Sequence, residues 1–321
     1  MTSLRIGVLG AARIAELAIV GPAQELGHRL AAVAARDPLR AQAFAEKHGV
    51  ERALASYEDV INDPEVDVIY NPLANSLHAP WNLAAVAAGK PVLTEKPFAR
   101  NRTEATLVAE AANSAGVPVV EGFHYLFHPV TRRALELAGD GTLGEIIHVE
   151  VRMAMPEPSD SDPRWSLELG GGALMDLGCY GLHVMRQLGH PSVVRAHAKE
   201  RRPGVDAWCD VELAFPSGAT GLSANSMVAD DHSHTLRIVG TKGDVLVHDF
   251  IKPHLDDRIT IRTSSGTTVE HLGTRTSYSY QLEAFAEHVV HGAALPLNTT
   301  DAVENMAYVD AAYRGAGMDP R

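Results

Sequence analysis

Short β-branched runs recur through the first third of the chain, and a longer alanine-rich stretch follows each one. Leu4–Leu9, Leu30–Ala35, Val66–Tyr70, Pro91–Thr94 and Val117–Glu121 carry at most one charge apiece, as strands covered on both faces do. Between them, Ile14–Leu26, Pro38–His48, Tyr57–Ile61, Ala79–Ala88 and Thr103–Ala115 show helical spacing. Leu107, Ala111 and Ala112 form an apolar stripe below a Thr103 N-cap. The Gly21-Pro22 pair is expected to end or kink the first helix. Strands alternating with helices require βαβ units around a parallel sheet.

The rhythm changes after Glu121. Ile146–Met155, Ser192–Arg201, Trp208–Phe215, Thr220–Val228, His234–Val239, Asp244–Asp249 and Asp257–Thr263 read as strands without long helices between them. Turns such as Pro216-Ser217-Gly218 and Ser264-Ser265-Gly266 pair them antiparallel. The remaining helices are Ala173–Leu188, Tyr278–His291 and Thr300–Ala316, the last capped by Thr300 or Asp301. The expected architecture is an α/β, Rossmann-like doubly wound parallel sheet over residues 1–121. An α+β domain with a large, mostly antiparallel open sheet follows over 122–321.

Composition narrows the function classes. Twenty-eight Lys and Arg against 40 Asp and Glu leave a formal charge of -12, so neither nucleic acid nor an anionic membrane is an expected partner. Cys179 and Cys209 are too few for a disulfide framework or a cysteine-based zinc site. Leu4–Leu9 is too short for a signal-peptide core, and no apolar run reaches membrane-spanning length. A cytoplasmic protein is expected.

The first strand closes on Gly7-Val8-Leu9-Gly10-Ala11-Ala12-Arg13-Ile14-Ala15. A dinucleotide-binding turn needs small residues where backbone approaches pyrophosphate and where helix packs on strand. Gly10 fills the tight-turn position, Ala12 and Ala15 stand for the later glycines, and Arg13 and Ile14 open the helix. At the tip of the second strand, Ala35 is neutral and Arg36 follows. An acidic residue there would repel a 2′-phosphate, whereas an arginine suits one, so NADP is expected over NAD. Asp37 caps the next helix. Thr94-Glu95-Lys96-Pro97 ends a central strand and aims Lys96 at the crevice where open α/β sheets bind ligands. A cis Lys96-Pro97 bond would fix that direction.

In Leu169–His183, three glycines would let backbone approach a ligand, and the helix after them carries Asp176, Tyr180 and His183. Spacings of four and seven residues put these on one face. An acid and a phenol on an apolar helix are costly to bury without purpose. His232-Ser233-His234 places two imidazoles on one strand face with no third ligand at useful spacing, so a solvated strand edge is expected rather than a metal.

Together these segments resemble the Gfo/Idh/MocA family. The matching pieces are the Gly10 turn, Asn71–His78, Glu95-Lys96-Pro97, Glu121–Pro129, Arg164 ahead of Gly170-Gly171-Gly172, the Asp176…Tyr180 helix and Tyr280–Phe285. Departures fall at Ala74, where proline is common, and Gly122, where alanine is common. The resemblance is nearest the glucose–fructose oxidoreductase, xylose dehydrogenase and dihydrodiol dehydrogenase branch. It implies an NAD(P)-dependent dehydrogenase acting on CH-OH groups of a sugar, polyol or related cyclic alcohol, without a metal. It also implies a homodimer or homotetramer through the open sheet.

On this reading Lys96 stands beside the reacting carbon and Tyr180 is the base, its phenol starting at a pKa of ~10 and favoured as phenolate by the ammonium. Asp176 holds the lysine or a sugar hydroxyl. Cofactor contacts are Gly10, Ala12, Arg13, Ile14, Arg36, Pro72, Asn75, His78, Glu95 and Lys96. Substrate contacts are His124, Tyr125, Arg164, Trp165 and His183. The rival readings are a cofactor-binding ligand sensor without turnover and an imine or enone reductase on the same scaffold.

Overall fold

The computed structural model describes residues 3–321. The chain divides into two compact units, one formed by Met1–Phe123 with Tyr278–Glu304 and the other by His124–Ser277 with Asn305–Arg321. Residues 278–304, which the sequence reading gave to the second domain, therefore cluster with the first. The reason is an apolar stripe: Tyr278, Leu282, Phe285 and Ala286 share one buried core with Ile6, Val8, Leu30 and Val68.

The first unit is built on a parallel sheet. Its strands are β1 (Arg5–Leu9), β2 (Arg29–Ala34), β3 (Val68–Asn71), β4 (Val92–Thr94) and β5 (Val119–Glu121), in the order β2-β1-β3-β4-β5. After β1 the chain forms α1 (Arg13–Ala15), a π turn (Glu16–Val20) and α2 (Gly21–Leu26). Gly21-Pro22 thus neither ends nor breaks the helical course. The wider turn before it, a register in which each N–H reaches five residues back, accommodates the proline that has no N–H to give. The other helices are α3 (Pro38–His48), α4 (Tyr57–Asn62), α5 (Asn75–Ala87) and α6 (Arg102–Ala115). Asp37 caps α3, accepting from the Leu39 N–H at 2.9 Å. The cap of α6 is Asn101 rather than Thr103, and the buried stripe is Ala105, Val108, Ala109 and Ala112 while Leu107 is exposed. Starting the helix two residues earlier left the turn of the stripe misjudged.

The second unit opens with a 3-10 turn (His124–Phe127) and α7 (Pro129–Gly139), neither of which the sequence reading foresaw. Its sheet comprises β6 (Ile146–Ala154), β7 (Ser192–Arg202), β8 (Val205–Ala214), β9 (Thr220–Ser226), β10 (Ser233–Gly240), β11 (Gly243–Val247), β12 (Arg258–Thr263) and β13 (Gly266–His271). The strand order is β13-β12-β11-β10-β6-β9-β8-β7, with β6 and β9 parallel and the other pairs antiparallel. The unforeseen β13 forms a hairpin with β12 across the Ser264-Ser265 turn.

A π turn (Leu174–Gly178) leads into α8 (Cys179–Gln187), which packs on β6 and β9. A Cβ at Gly181 would lie 2.0 Å from Ser223 Oγ, so glycine is what lets α8 settle on β9. The last helices are α9 (Ser277–His291) and α10 (Thr299–Gly315). Asn298 caps α10 by accepting from Asp301 N–H at 2.9 Å, in place of the expected Thr300 or Asp301.

Candidate active site

In the first unit, the candidate cofactor residues gather at the carboxyl ends of the parallel strands. Gly10 follows β1 with φ +97°, and a Cβ there would sit 2.8 Å from Leu73 Cδ2. Only glycine gives the turn this conformation and this closeness. Its N–H donates to the Ala34 carbonyl of β2 at 2.7 Å. Ala12 is extended and precedes Arg13, which is exposed; Ile14 is half-buried against the core. Arg36 is exposed past the tip of β2.

Arg40, which the sequence reading missed, donates from Nη2 to the Ala11 carbonyl at 3.0 Å, so it spans from α3 to the glycine turn. Burial pushes the Tyr57 phenol up while the charges of Arg36 and Arg40 pull against it, which places both guanidinium groups near one ring. The signal was available: Arg40 lies in the first turn of α3, four residues after Arg36. A glycine turn, a neutral strand tip and exposed arginines fit a phosphorylated dinucleotide.

The loops after β3 and β4 are tied together. Lys96-Pro97 is cis, which the sequence left open, and Lys96 is half-buried. His78 is fully buried, with Nδ1 2.7 Å from the Pro97 carbonyl and Nε2 2.8 Å from that of Leu73. Burial pushes its imidazole down, the two carbonyls pull it back up, and the Lys96 charge lowers it further. His78 was expected to touch cofactor; both ring nitrogens instead face backbone, so it clasps the loops. Pro72 is buried, and Asn75 is half-buried at the start of α5. Glu95 is buried and accepts from the Tyr70 hydroxyl at 2.9 Å.

In the second unit, the candidate residues form pairs. Tyr180, on α8 and 4% exposed, has its hydroxyl 3.1 Å from His124 Nε2, and His124 Nδ1 lies 2.8 Å from Ser277 Oγ. Tyr125 hydroxyl meets His183 Nδ1 at 2.6 Å, and the Tyr125 and Tyr180 rings stand edge to face at 5.9 Å. Arg164 Nε donates to Asp176 Oδ2 at 2.7 Å, and its Nη1 reaches Asp162. The Asp176 carboxylate beside it, more than burial opposes, raises the guanidinium pKa.

The expected single face carrying Asp176, Tyr180 and His183 is interrupted, because the helix is π-wound up to Gly178 and α-helical after it. Trp165 is buried, its indole N–H donated to the Pro158 carbonyl at 3.2 Å and its ring under the Arg201 guanidinium. Ser277 went unseen because nothing in sequence relates it to His124.

Two expectations are corrected. Gly171 and Gly172, expected to let backbone approach a ligand, lie close against their own chain. A Cβ at Gly171 would lie 2.3 Å from the Arg164 carbonyl, and one at Gly172 would lie 2.1 Å from Asp206 Oδ1. His234 is not on a solvated edge: β10 is interior to the sheet, and His234 is buried with Nδ1 3.3 Å from Asp249.

Comparison with known proteins places these features in a family. Residues 4–123 match the model of an oxidoreductase family with an NAD-binding Rossmann fold, and residues 131–246 match the GFO/IDH/MocA C-terminal domain. The chain is 33% identical to a D-xylose 1-dehydrogenase (NADP(+)) of Haloferax volcanii, over 98% of this chain and 97% of that one. It is 31% identical to the trans-1,2-dihydrobenzene-1,2-diol dehydrogenase of Mus musculus, over 75% of this chain and 73% of that one. Among solved structures, KijD10, a 3-ketoreductase from Actinomadura kijaniata in complex with NADP and TDP-benzene, superposes with a TM-score of 0.92. It shares 27% identity, with 99% of each chain covered.

Proposed function

This chain belongs to the Gfo/Idh/MocA oxidoreductase family, and we propose that it is an NADP-preferring dehydrogenase oxidising a CH-OH group of a sugar, polyol or related cyclic alcohol. The observation that carries the reading is the buried phenol of Tyr180, held by an imidazole at 3.1 Å on the helix that also bears Asp176. As its phenolate, a tyrosine so placed accepts the proton of a substrate hydroxyl.

The nicotinamide, when bound, supplies the hydride acceptor. The residues that would hold the cofactor are Gly10, Ala12, Arg13 and Ile14 in the turn, Arg36 and Arg40 at the adenosine end, and Pro72, Asn75, Glu95 and Lys96 in the strand-end loops. Lys96 orients the reacting hydroxyl with its ammonium and favours loss of its proton. Tyr180 takes that proton. Asp176, already paired with Arg164, fixes the position of a further polar group of the substrate, and Arg164 offers remaining donors to it. The Tyr125–His183 pair supports the Tyr180 ring from its edge.

The relatives support both directions of the chemistry, since some are named dehydrogenases and KijD10 a ketoreductase. Tyr180 is the feature that favours alcohol–ketone exchange over imine or enone reduction, which needs no alcohol base. We assign the chain to the cytoplasm and to a homodimer or homotetramer through the open sheet, supported by half-exposed Trp208, Leu222 and Ala224 on its strands. Light scattering showing a stable monomer overturns the assembly.

The function is tested by following NADPH formation with a panel of aldoses, polyols and cyclic diols. Turnover with at least one, lost in Lys96→Ala, is the expected result. Tight cofactor binding with no turnover in either direction on alcohols or the matching carbonyls would point to a ligand sensor instead.

A further inference from the structure

Behind Tyr180 the second unit holds a hydrogen-bonded line that runs through His124 to Ser277. His124 is fully buried, its Nε2 3.1 Å from the Tyr180 hydroxyl and its Nδ1 2.8 Å from Ser277 Oγ. The 3-10 turn presents His124, α8 presents Tyr180, and Ser277 is the first residue of α9. The His124 and Tyr180 rings stand at 72°, centroids 5.9 Å apart, so the imidazole nitrogen rather than its face meets the phenol.

From this geometry we infer that His124, set by Ser277, is the proton acceptor for Tyr180. The inference rests on the reading of Tyr180 as the base. The hydroxyl of Ser277 accepts from Nδ1–H, which leaves the Nε2 lone pair facing the phenol O–H. In oxidation the substrate O–H bond breaks as its carbonyl forms, and that proton passes to the Tyr180 oxygen. The Tyr180 proton passes to Nε2, and the hydride leaves with the cofactor. One alcohol and one oxidised cofactor become one carbonyl, one reduced cofactor and one imidazolium, which releases its proton to solvent afterwards. Reduction runs the same line backwards.

The gain is electrostatic. A buried phenolate alone is costly, whereas a phenolate beside the imidazolium that took its proton is paired. The Tyr180 phenol faces the imidazole at 3.1 Å, and the Tyr125 phenol, bonded to His183, stands edge to face with the Tyr180 ring. Asp176, on the turn before Tyr180, is already engaged by Arg164 at 2.7 Å.

His124 is a positioning residue that acts through Tyr180, so its test reads more than rate. In His124→Gln, kcat for oxidation is expected to fall by ~10²-fold with KM little changed. The acid limb of the pH–rate profile should move from the imidazole range toward the phenol range. Ser277→Ala keeps the imidazole and should give a smaller fall with the same direction of shift.

A second readout needs no turnover. In cofactor-free protein with nitrogen-labelled histidine, the His124 resonance should report an unprotonated Nε2, and Tyr180→Phe should move it. An unshifted resonance in Tyr180→Phe, or an unchanged pH profile in His124→Gln, overturns the relay. Absence of turnover in the wild type with a shifted resonance would overturn the dehydrogenase reading and leave the hydrogen-bonded line standing.

Discussion

Asp206 Oδ2 accepts the backbone N–H of Leu174 at 2.7 Å, so a buried carboxylate on β8 caps the turn that leads to Asp176 and Tyr180. Its other oxygen meets Arg321 Nη2 at 2.7 Å and the Tyr313 hydroxyl at 3.0 Å. Arg321 also donates to the Gly171 carbonyl at 2.9 Å and stacks on the Tyr313 ring. Both charged side chains are essentially inaccessible, at 1% and 0% exposure. Removing one partner leaves the other charge buried alone, so Arg321→Met should cost about 3–5 kcal/mol of stability. Urea unfolding measures it. Adding Asp206→Asn to the same chain should recover part of the loss, and an additive loss would mean that the two residues act separately.

Gly172 has φ +128° and no room for a Cβ against the same carboxylate. Gly172→Ala should therefore lower the midpoint of thermal unfolding and also kcat, because the strain falls on the turn preceding Tyr180. Gly27→Ala, at a positive φ with open space around it, is the control: backbone strain without displaced neighbours. A melt in which both variants lose equally would remove the packing argument.

Three buried histidines set the acid side of the stability curve. Burial pushes the imidazoles of His28, His78 and His128 down, in each case more than their remaining interactions alter. Each is therefore neutral in the folded chain and charged in the unfolded one once the pH drops below about 6.5. Stability should be full above that pH and fall as the pH goes lower, by up to about 1.4 kcal/mol per pH unit for each group. Urea midpoints at pH 7.5 and 5.5 read the slope, and His28→Gln should reduce it. A flat response between those pH values would show that the rings are charged when folded.

Cofactor choice falls on Arg36 and Arg40. Losing a charge-assisted contact of ~1.5–3 kcal/mol weakens binding roughly tenfold or more. Arg36→Ala should thus raise the Kd for NADP selectively and leave NAD nearly unchanged. Arg40→Ala should do the same and, by freeing the Ala11 carbonyl, also weaken NAD slightly. Fluorescence titration with both cofactors separates the outcomes. Equal losses in Arg36→Ala would mean that the guanidinium packs on adenine.

Lys96 and Tyr180 each carry a step of the proposed reaction, and each is tested by its removal. Tyr180→Phe keeps the ring and removes the acceptor, so kcat should drop ~10²–10⁴-fold with binding retained. Lys96→Ala should fall at least as far, and the double variant should lose much less than the product. Near-normal kcat in both single variants would dismiss the proposed mechanism.

Much of this was legible in the residues because its causes are local. Gly10 advertised a turn that only glycine adopts, Asp37-Pro38 marked the start of α3, and the alternating runs fixed the parallel sheet by period alone. Lys96 stood out because it ends a central strand at the ligand crevice, and Tyr180 because a phenol beside an acid on an apolar helix needs a reason. Local signals were also misread where neighbours compete for one role: Asn101 took the cap assigned to Thr103, and Asn298 took that assigned to Thr300 or Asp301.

By itself, then, the sequence determined the two sheet types, the family and the identity of the chemical groups, since period, turn chemistry and residue type act over a few positions. Tertiary structure alone decided who partners whom. His124 and Ser277 are 153 residues apart, Asp206 and Arg321 are 115, and the apolar stripe of α9 joined the core of the first sheet. Such pairings follow from where packed elements bring side chains together, and no spacing along the chain encodes them. The glycines at 171, 172, 178 and 181 show the same division. Their lack of a side chain was plain to read, but whether the space served a ligand or the chain itself was settled by the atoms around them.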